Sequence, residues 1–227
     1  GRVLGIDPNK KKGEKGEKYE GAFVKQPIPG LHKYCTCRDY ASLYPSLMRQ
    51  FNIGPETLVA MLPEKDEEIK QQWRDKGYIV CASGAVFQKE DGNLKKIITD
   101  LYMRRKSYKK TSFKYQQNYY DIKEMLNNNV GMDEINDYLV KNEIHNVVNE
   151  EGEGRLKAIM NYCLMMSDIY NNYQLGTKVV INGIYGAFGF SGFYFYNKNI
   201  AEAVTKQGKH AILNAESIIN KWAQKVW

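Results

Sequence analysis

Apolar residues recur at helical intervals through most of the chain beyond residue 93, and this pattern predicts long helices. The segment from Leu94 to about Asn127 lacks Pro and Gly, so we expect one long helix there. One helix or a pair of helices is predicted from about Asp133 to Asn149, and further helices from Arg155 to about Gly186 and from about Ala201 to Trp227. Two long helices joined by a polar connecting segment would form a projecting antiparallel hairpin.

Shorter patterns precede these helices. Tyr34–Arg38 predicts a short strand, and Asp39 stands where that strand ends. After Pro45, the run Ser46–Phe51 has helical spacing. The segment Tyr78–Phe87 has two apolar runs around a Ser-Gly pair, which predicts a hairpin. The expected order around Asp39 is therefore strand, tight turn and short helix.

Composition narrows the class of protein. The chain has 227 residues, of which 43% are hydrophobic, so it can bury a core of its own. It has no apolar stretch of bilayer-spanning length and no signal segment, so we expect a soluble intracellular protein. The net charge of +7 favours polyanionic partners. The four cysteines lack the spacing of a zinc site and are expected to be reduced, and residues 1–20 are expected to form a mobile basic linker.

The segment Asp39–Ser46 could carry chemistry. A carboxylate at a strand end, followed by a turn that exposes backbone N–H groups, can hold a divalent cation on one side and phosphate oxygens on the other. The alternative is an aspartate that caps a strand before an ordinary turn.

A second candidate is the segment Lys178–Gly186. Lys178, Asn182 and Tyr185 are spaced to share one helical face. A cation, an amide and an aromatic ring in file suit a nucleotide, and Gly186 would leave room for close approach. The opposite face, with Val179, Val180 and Ile184, is expected to pack inward. The alternative is an amphipathic surface helix.

Arg105 and Lys109 form a third candidate. They are four residues apart, so they share a helical face. A like-charge pair at this spacing destabilises an isolated helix by roughly a few tenths of a kcal/mol. A bound anion would offset this repulsion, although a solvated basic face would carry the same pattern.

At these residues the sequence resembles family B DNA polymerases. Asp39–Ser46 is similar to their first polymerase motif and Lys178–Gly186 to their second, in the right order. Arg105 and Lys109 match the basic pair of the fingers helix. The flanking segments look most like the replicative polymerases of T-even-type bacteriophages, and Tyr19–Ala22 resembles the loop between the exonuclease and polymerase modules.

The resemblance implies a role for each matching residue. Asp39 would bind two magnesium ions, with the Tyr40 carbonyl as a further ligand. Ser42 and Leu43 would offer backbone N–H groups to the triphosphate of the incoming deoxynucleotide. Tyr44 would lie beneath its sugar and exclude a ribose 2′-hydroxyl.

The remaining implied roles concern charge and the base pair. Arg105, Lys109 and Lys178 would neutralise the triphosphate, with Lys178 also protonating the leaving group. Asn182 would support the phosphates and Tyr185 would line the nascent base pair. Tyr19, Gly21 and Gly186 would contact DNA.

Two departures from the family pattern stand out. Gly183 occupies the position where the family usually has Ser, which would destabilise the helix by about 0.5–1 kcal/mol. The third motif, an aspartate pair that completes the metal site, is expected beyond the last helix and is not found; no Asp follows Asp168. The expectation is an incomplete polymerase that does not synthesise DNA alone.

The implied fold is α+β, a partial palm with few strands and a long helical fingers hairpin. We expect palm at residues 21–93, fingers at 94–190 and palm again at 191–227. Implied partners are primer–template DNA, deoxynucleoside triphosphate, the rest of the polymerase polypeptide and a sliding clamp, in the host cytoplasm if the protein is phage-encoded. Two alternatives remain: a non-catalytic nucleic-acid-binding module, and a structural fragment without binding activity.

Overall fold

The computed structural model describes residues 21–31, 33, 35, 37–148 and 153–226. This part of the chain contains six helices and three strands. In chain order they are α1 Leu43–Gln50, β1 Leu58–Met61, α2 Glu67–Asp75, β2 Ile79–Val80, β3 Ala85–Phe87, α3 Asn93–Asn127, α4 Met132–Lys141, α5 Glu153–Gly189 and α6 Lys198–Val226. They divide into two compact units: unit 1 holds the described residues up to Asp100 and from Ile181 onward, and unit 2 holds Leu101–Val180.

A small antiparallel sheet lies in unit 1, with strand order β1-β3-β2. The central strand β3 is buried at every position, as its Ala-Val-Phe sequence favours. Gly84 forms the turn before β3 with φ +86°, and a Cβ there would lie 2.2 Å from the Leu62 carbonyl oxygen. Only glycine fits this close approach.

Helices cover the sheet and hold it in place. Helix α6 packs on β3 and on α1. The Gln207 side chain on α6 accepts a hydrogen bond from the Ala82 backbone N–H at 2.8 Å. The N-terminus of α3 is capped by Glu56, whose Oε1 accepts from the Leu94 N–H at 2.8 Å. The core of unit 1 therefore joins segments that are distant in sequence.

Unit 2 is helical. A buried cluster of Ile122, Ile135, Leu139, Ile144, Ile159 and Cys163 joins α3, α4 and α5. Further along the α3–α5 pair, the Ser112 Oγ on α3 donates to the Ser167 carbonyl on α5 at 2.9 Å. The Tyr115 ring on α3 is stacked against the Tyr170 ring on α5, with ring centres 6.1 Å apart, and burial raises the pKa of Tyr115 to about 12. The two long helices thus contact each other along an extended seam.

The predicted long helices are confirmed, with ends shifted by a few residues. The predicted hairpin corresponds to β2 and β3. The helix or pair predicted from about Asp133 to Asn149 is a single shorter helix as far as residue 148, because α4 ends at Lys141 and Glu143 turns the chain with φ +61°; Asn149 lies outside the described residues. This mixed but mostly helical content agrees with the α+β expectation.

The predicted strand Tyr34–Arg38 lies partly outside the described residues, and those of its residues that the structure describes, Cys35, Cys37 and Arg38, belong to no strand. Strand β1 and helix α2 were not predicted. The linker at residues 1–20 lies outside the described residues. None of the helices in the described ranges has the length and apolar character that a membrane span requires.

Candidate functional site

The turn that begins α1 is tightly held. Ser42 precedes the helix in the left-handed conformation, with φ 54° and ψ 58°. The Ser46 N–H donates to the Ser42 carbonyl at 2.9 Å, and the Ser46 Oγ donates to the Ala41 carbonyl at 3.1 Å. Because the first turn of a helix leaves backbone N–H groups without intrahelical acceptors, the start of α1 can present donors to an anion next to Asp39.

Asp39 is exposed and lines a cavity of about 900 Å³ against α6. The neighbouring Tyr40 side chain is anchored, since its hydroxyl donates to the Ala211 carbonyl on α6 at 3.2 Å. The rest of the lining is largely apolar and includes Ile212, Ile219 and Trp222. An accessible carboxylate next to a backbone carbonyl is a donor set that suits magnesium. Among the described residues, no three or more His, Cys, Asp or Glu side chains converge on one point, so Asp39 could serve only as part of such a site.

The clearest link between the two motifs is a ring contact within unit 1. The Tyr44 ring on α1 lies 4.6 Å from the Tyr185 ring near the end of α5, with a tilt of 53° between the planes. Tilted pairs at this separation are favourable, by about 0.5–1.5 kcal/mol beyond the area they bury. Two candidate residues that are far apart in sequence are thus brought together.

Gly208 on α6 is a residue that the sequence analysis missed. A Cβ at this position would lie 3.0 Å from the Tyr44 Cε1 and 3.6 Å from the Leu47 Cδ1. The absence of a side chain therefore gives the Tyr44 ring its place against α6. The available signal was a single glycine inside the helix Lys198–Val226, where it lowers helix propensity by about 1 kcal/mol relative to Ala.

The segment after Gly21 runs along α6. Lys25 forms an ion pair with Glu216, which also lines the Asp39 cavity, and the Lys209 Nζ lies 5.6 Å from the centre of the Phe23 ring. A Cβ on Gly21 would meet nothing within 4 Å. Tyr19, predicted to contact DNA with Gly21, lies outside the described residues.

The predicted triphosphate cations lie in unit 2. Arg105 is partly buried on α3, whereas Lys109 and Lys178 are exposed. Tyr108 contacts Tyr173 across the helix pair, with ring centres 5.6 Å apart. Arg105 lies one turn before Tyr108, and Lys178 lies just beyond Tyr173, so the antiparallel arrangement places both toward the same end of the pair.

The second motif lies within the continuous helix α5, where Lys178, Asn182 and Tyr185 keep their one-face spacing. The prediction for the opposite face is wrong at two positions: Val179 is 71% exposed and Val180 is 54% exposed. The buried stripe of this segment runs instead through Gln174, Ile181 and Phe188, so the buried side of the helix flanks the motif face rather than opposing it.

Both glycines of the second motif border open space. A Cβ on Gly183 or on Gly186 would meet nothing within 4 Å among the described residues. Gly186 therefore leaves room for a ligand to approach.

Comparison with known proteins identifies the family. The sequence model of DNA polymerase family B matches residues 3–129 and 150–226. The chain belongs to DNA polymerase family B. It is 32% identical over 219 residues to the DNA-directed DNA polymerase of Escherichia phage RB69, an alignment that covers 92% of the chain and 24% of that polymerase.

More distant polymerases match over a similar stretch. The DNA-directed DNA polymerase of Enterobacteria phage T4 is 29% identical over 221 residues, covering 92% of the chain and 24% of the relative. The DNA polymerase of Archaeoglobus fulgidus is 29% identical over 214 residues, covering 94% and 20% respectively. The chain therefore spans between a fifth and a quarter of the length of these family B relatives.

Proposed function

We propose that this chain is the part of a template-directed DNA polymerase that binds the incoming deoxynucleoside triphosphate and supplies one carboxylate of the metal site. The observation that carries the proposal is the ring contact between Tyr44 and Tyr185, which joins the two family B motifs within unit 1. The named activity of the phage relatives, DNA-directed DNA polymerase, supports it.

Asp39 is proposed as a ligand of magnesium, together with the Tyr40 carbonyl. Bound magnesium would lower the pKa of a primer 3′-hydroxyl and neutralise charge on the phosphates. Because Asp39 is one carboxylate, the full metal site needs a carboxylate from elsewhere, and the chain alone is proposed to be inactive in synthesis.

The start of α1 is proposed to bind phosphate oxygens through the N–H groups of Ser42 and Leu43. Arg105, Lys109 and Lys178 would neutralise the triphosphate, and Lys178 would donate a proton to the departing pyrophosphate. Asn182 would donate an amide hydrogen bond to a phosphate oxygen.

Sugar selection is assigned to Tyr44. A rigid ring seated against α6 at Gly208 and against Tyr185 cannot retreat easily from an added hydroxyl, so a ribonucleotide would clash. Tyr185 would then lie next to the base, and Gly186 would allow the DNA backbone to approach. Primer–template DNA and a sliding clamp are proposed partners of the whole polymerase.

Titration calorimetry of deoxyadenosine triphosphate tests the proposal, with and without magnesium. We expect binding that Lys178→Ala weakens at least tenfold, because a charge-assisted contact to phosphate is worth about 1.5–3 kcal/mol. Lys157→Ala is the matched control, an exposed lysine on the same helix, and should bind like the wild type. Equal affinities for the two variants would refute the role of Lys178.

The competing function is a module that grips nucleic-acid phosphates without catalysis, which the net charge of +7 favours. It predicts that Asp39→Asn and Tyr44→Ala leave all ligand binding unchanged. The polymerase proposal predicts that magnesium-dependent binding falls in Asp39→Asn and that Tyr44→Ala reduces the preference for deoxyribose over ribose.

A further inference from the structure

The outward face of α3 in unit 2 carries two aromatic side chains in solvent. Phe113 is 56% exposed and Tyr120 is 54% exposed. The opposite face of the same helix is the one that contacts the rest of unit 2, through Ser112, Tyr115 and Ile122. Packing within unit 2 therefore does not explain why large rings stand on this side.

The exposed rings belong to a regular stripe. Exposed residues follow at helical spacing along one face of α3: Lys106, Lys110, Phe113, Gln117 and Tyr120. At 1.5 Å rise per residue, the stripe is about 20 Å long and its two rings are about 10 Å apart. Two cations, an aromatic ring, an amide and a second ring thus follow one another along a single line.

The charge on this part of the helix has one sign. Leu101–Tyr120 contains six Lys or Arg residues and no Asp or Glu. Lys109 adds to the ring surface, with its Nζ 5.5 Å from the centre of the Phe113 ring. A protein partner would be expected to meet few lysines at the centre of its interface, whereas a polyanion is favoured by this charge.

The rings distinguish between kinds of polyanion. Bases in a duplex are stacked on each other and present only their edges, so no base face would be exposed for Phe113 and Tyr120 to stack on. A single strand exposes the faces of its bases, and cations combined with aromatic rings are the means by which proteins bind single strands without sequence preference.

We propose that the stripe Lys106–Lys110–Phe113–Gln117–Tyr120 is a binding site for single-stranded DNA, separate from the residues assigned to the incoming nucleotide. Bases stack on Phe113 and Tyr120, and Lys106 and Lys110 contact phosphates. The inference extends the proposed polymerase function, in which the unpaired template is such a strand, but the binding itself requires neither polymerisation nor a nucleotide.

Fluorescence anisotropy with a labelled oligothymidylate tests the site in the 227-residue chain. Phe113→Ala and Tyr120→Ala should each lower the affinity roughly fivefold or more, the range found for removing a stacking ring. Phe113→Tyr and Tyr120→Phe should retain wild-type affinity. Tyr120 is far along the helix from Lys109, so its effect cannot arise through that residue.

Leucine variants separate base stacking from apolar docking. Phe113→Leu with Tyr120→Leu keeps an apolar side chain but removes the flat surface, and we expect it to bind as weakly as the double alanine variant. Tyr194→Ala, which removes a ring 70% exposed in unit 1, is the control and should bind normally. Wild-type affinity in the double leucine variant would overturn the proposal.

Two further measurements bear on the class of ligand. Lys106→Ala with Lys110→Ala should reduce the slope of log affinity against log salt by roughly 1.4, because each phosphate contact on a single strand contributes about 0.7. A blunt duplex of equal length should not distinguish Phe113→Ala from the wild type. An equal loss on duplex and single strand would refute stacking, whereas a failure of nucleotide titration alone would refute only the proposed nucleotide site.

Discussion

Gly208→Ala tests whether the position of the Tyr44 ring depends on the absence of a side chain in α6. The new Cβ would lie 3.0 Å from the Tyr44 Cε1, well inside the 3.5–4.0 Å at which carbon atoms attract each other best. The ring must then move by several tenths of an ångström, away from α6. Any such movement also alters its 4.6 Å contact with Tyr185.

Two effects on stability oppose each other in this variant. Alanine raises helix propensity over glycine by about 0.8–1.0 kcal/mol. Overpacking a filled site lowers stability by about 1–3 kcal/mol. We therefore expect a net loss between zero and about 2 kcal/mol in the free energy of unfolding, rather than a gain.

Gly183→Ala is the matched control. It is also a glycine-to-alanine change within a long helix, but its Cβ meets nothing within 4 Å. Denaturant unfolding followed by circular dichroism should show Gly183→Ala stabilised by about 0.5–1 kcal/mol and Gly208→Ala not stabilised. If both variants gained equally, the reasoning about Tyr44 would be refuted.

A double-mutant cycle then isolates the contact. In a Tyr44→Ala background the space beside α6 is open, so Gly208→Ala should become stabilising by about the propensity difference alone. Additive effects of the two changes would show that the strain lies elsewhere. Tyr44→Ala alone should discriminate less well between deoxynucleotide and ribonucleotide if Tyr44 excludes the 2′-hydroxyl.

Two other predictions concern buried groups in unit 1. Lys70 is 2% exposed, and its Nζ donates to the Ala82 carbonyl at 3.1 Å and to the Glu67 carboxylate at 2.8 Å. Lys70→Met should therefore lower the free energy of unfolding by about 1.5–3 kcal/mol. Lys76→Met, at an exposed position, is the control and should change it little. Burial raises the pKa of the Cys81 thiol from 9.0 to about 12. The buried, protonated thiol therefore contributes its full stability below pH 9, and this contribution is lost as the pH rises from 9 toward 12. Relative to Cys81→Ala, the wild type should lose about 1 kcal/mol between pH 9 and 10 in denaturant unfolding, and a parallel pH dependence of the two proteins would contradict the shift.

Lys70 also illustrates a limit of sequence analysis. A lysine in a polar, amphipathic segment is normally exposed, and nothing in its neighbours signals burial. It is buried because its Nζ can reach the carbonyls of Glu64 and Ala82, which come close only when α2 packs beside β2. The sheet shows the same limit: β1 pairs with β3, from which it is separated by α2, and local alternation does not identify that partner.

The sequence by itself determined the family and the long helices, and it predicted the two candidate motifs. Motif spacing and helical periodicity are local properties, carried by residues within a few turns of one another, so they can be recognised without a fold. Asp39, Lys178 and the Arg105–Lys109 pair were predicted as site residues in this way.

The tertiary structure decided which distant residues meet. Tyr44 contacts Tyr185 because α1 and the end of α5 share the core of unit 1, and Gly208 gives the ring its space from a third helix. It also decided which face of α5 is buried, leaving Val179 and Val180 exposed. These outcomes depend on how the surfaces of separate elements fit together, and that fit is a property of packing rather than of any single segment.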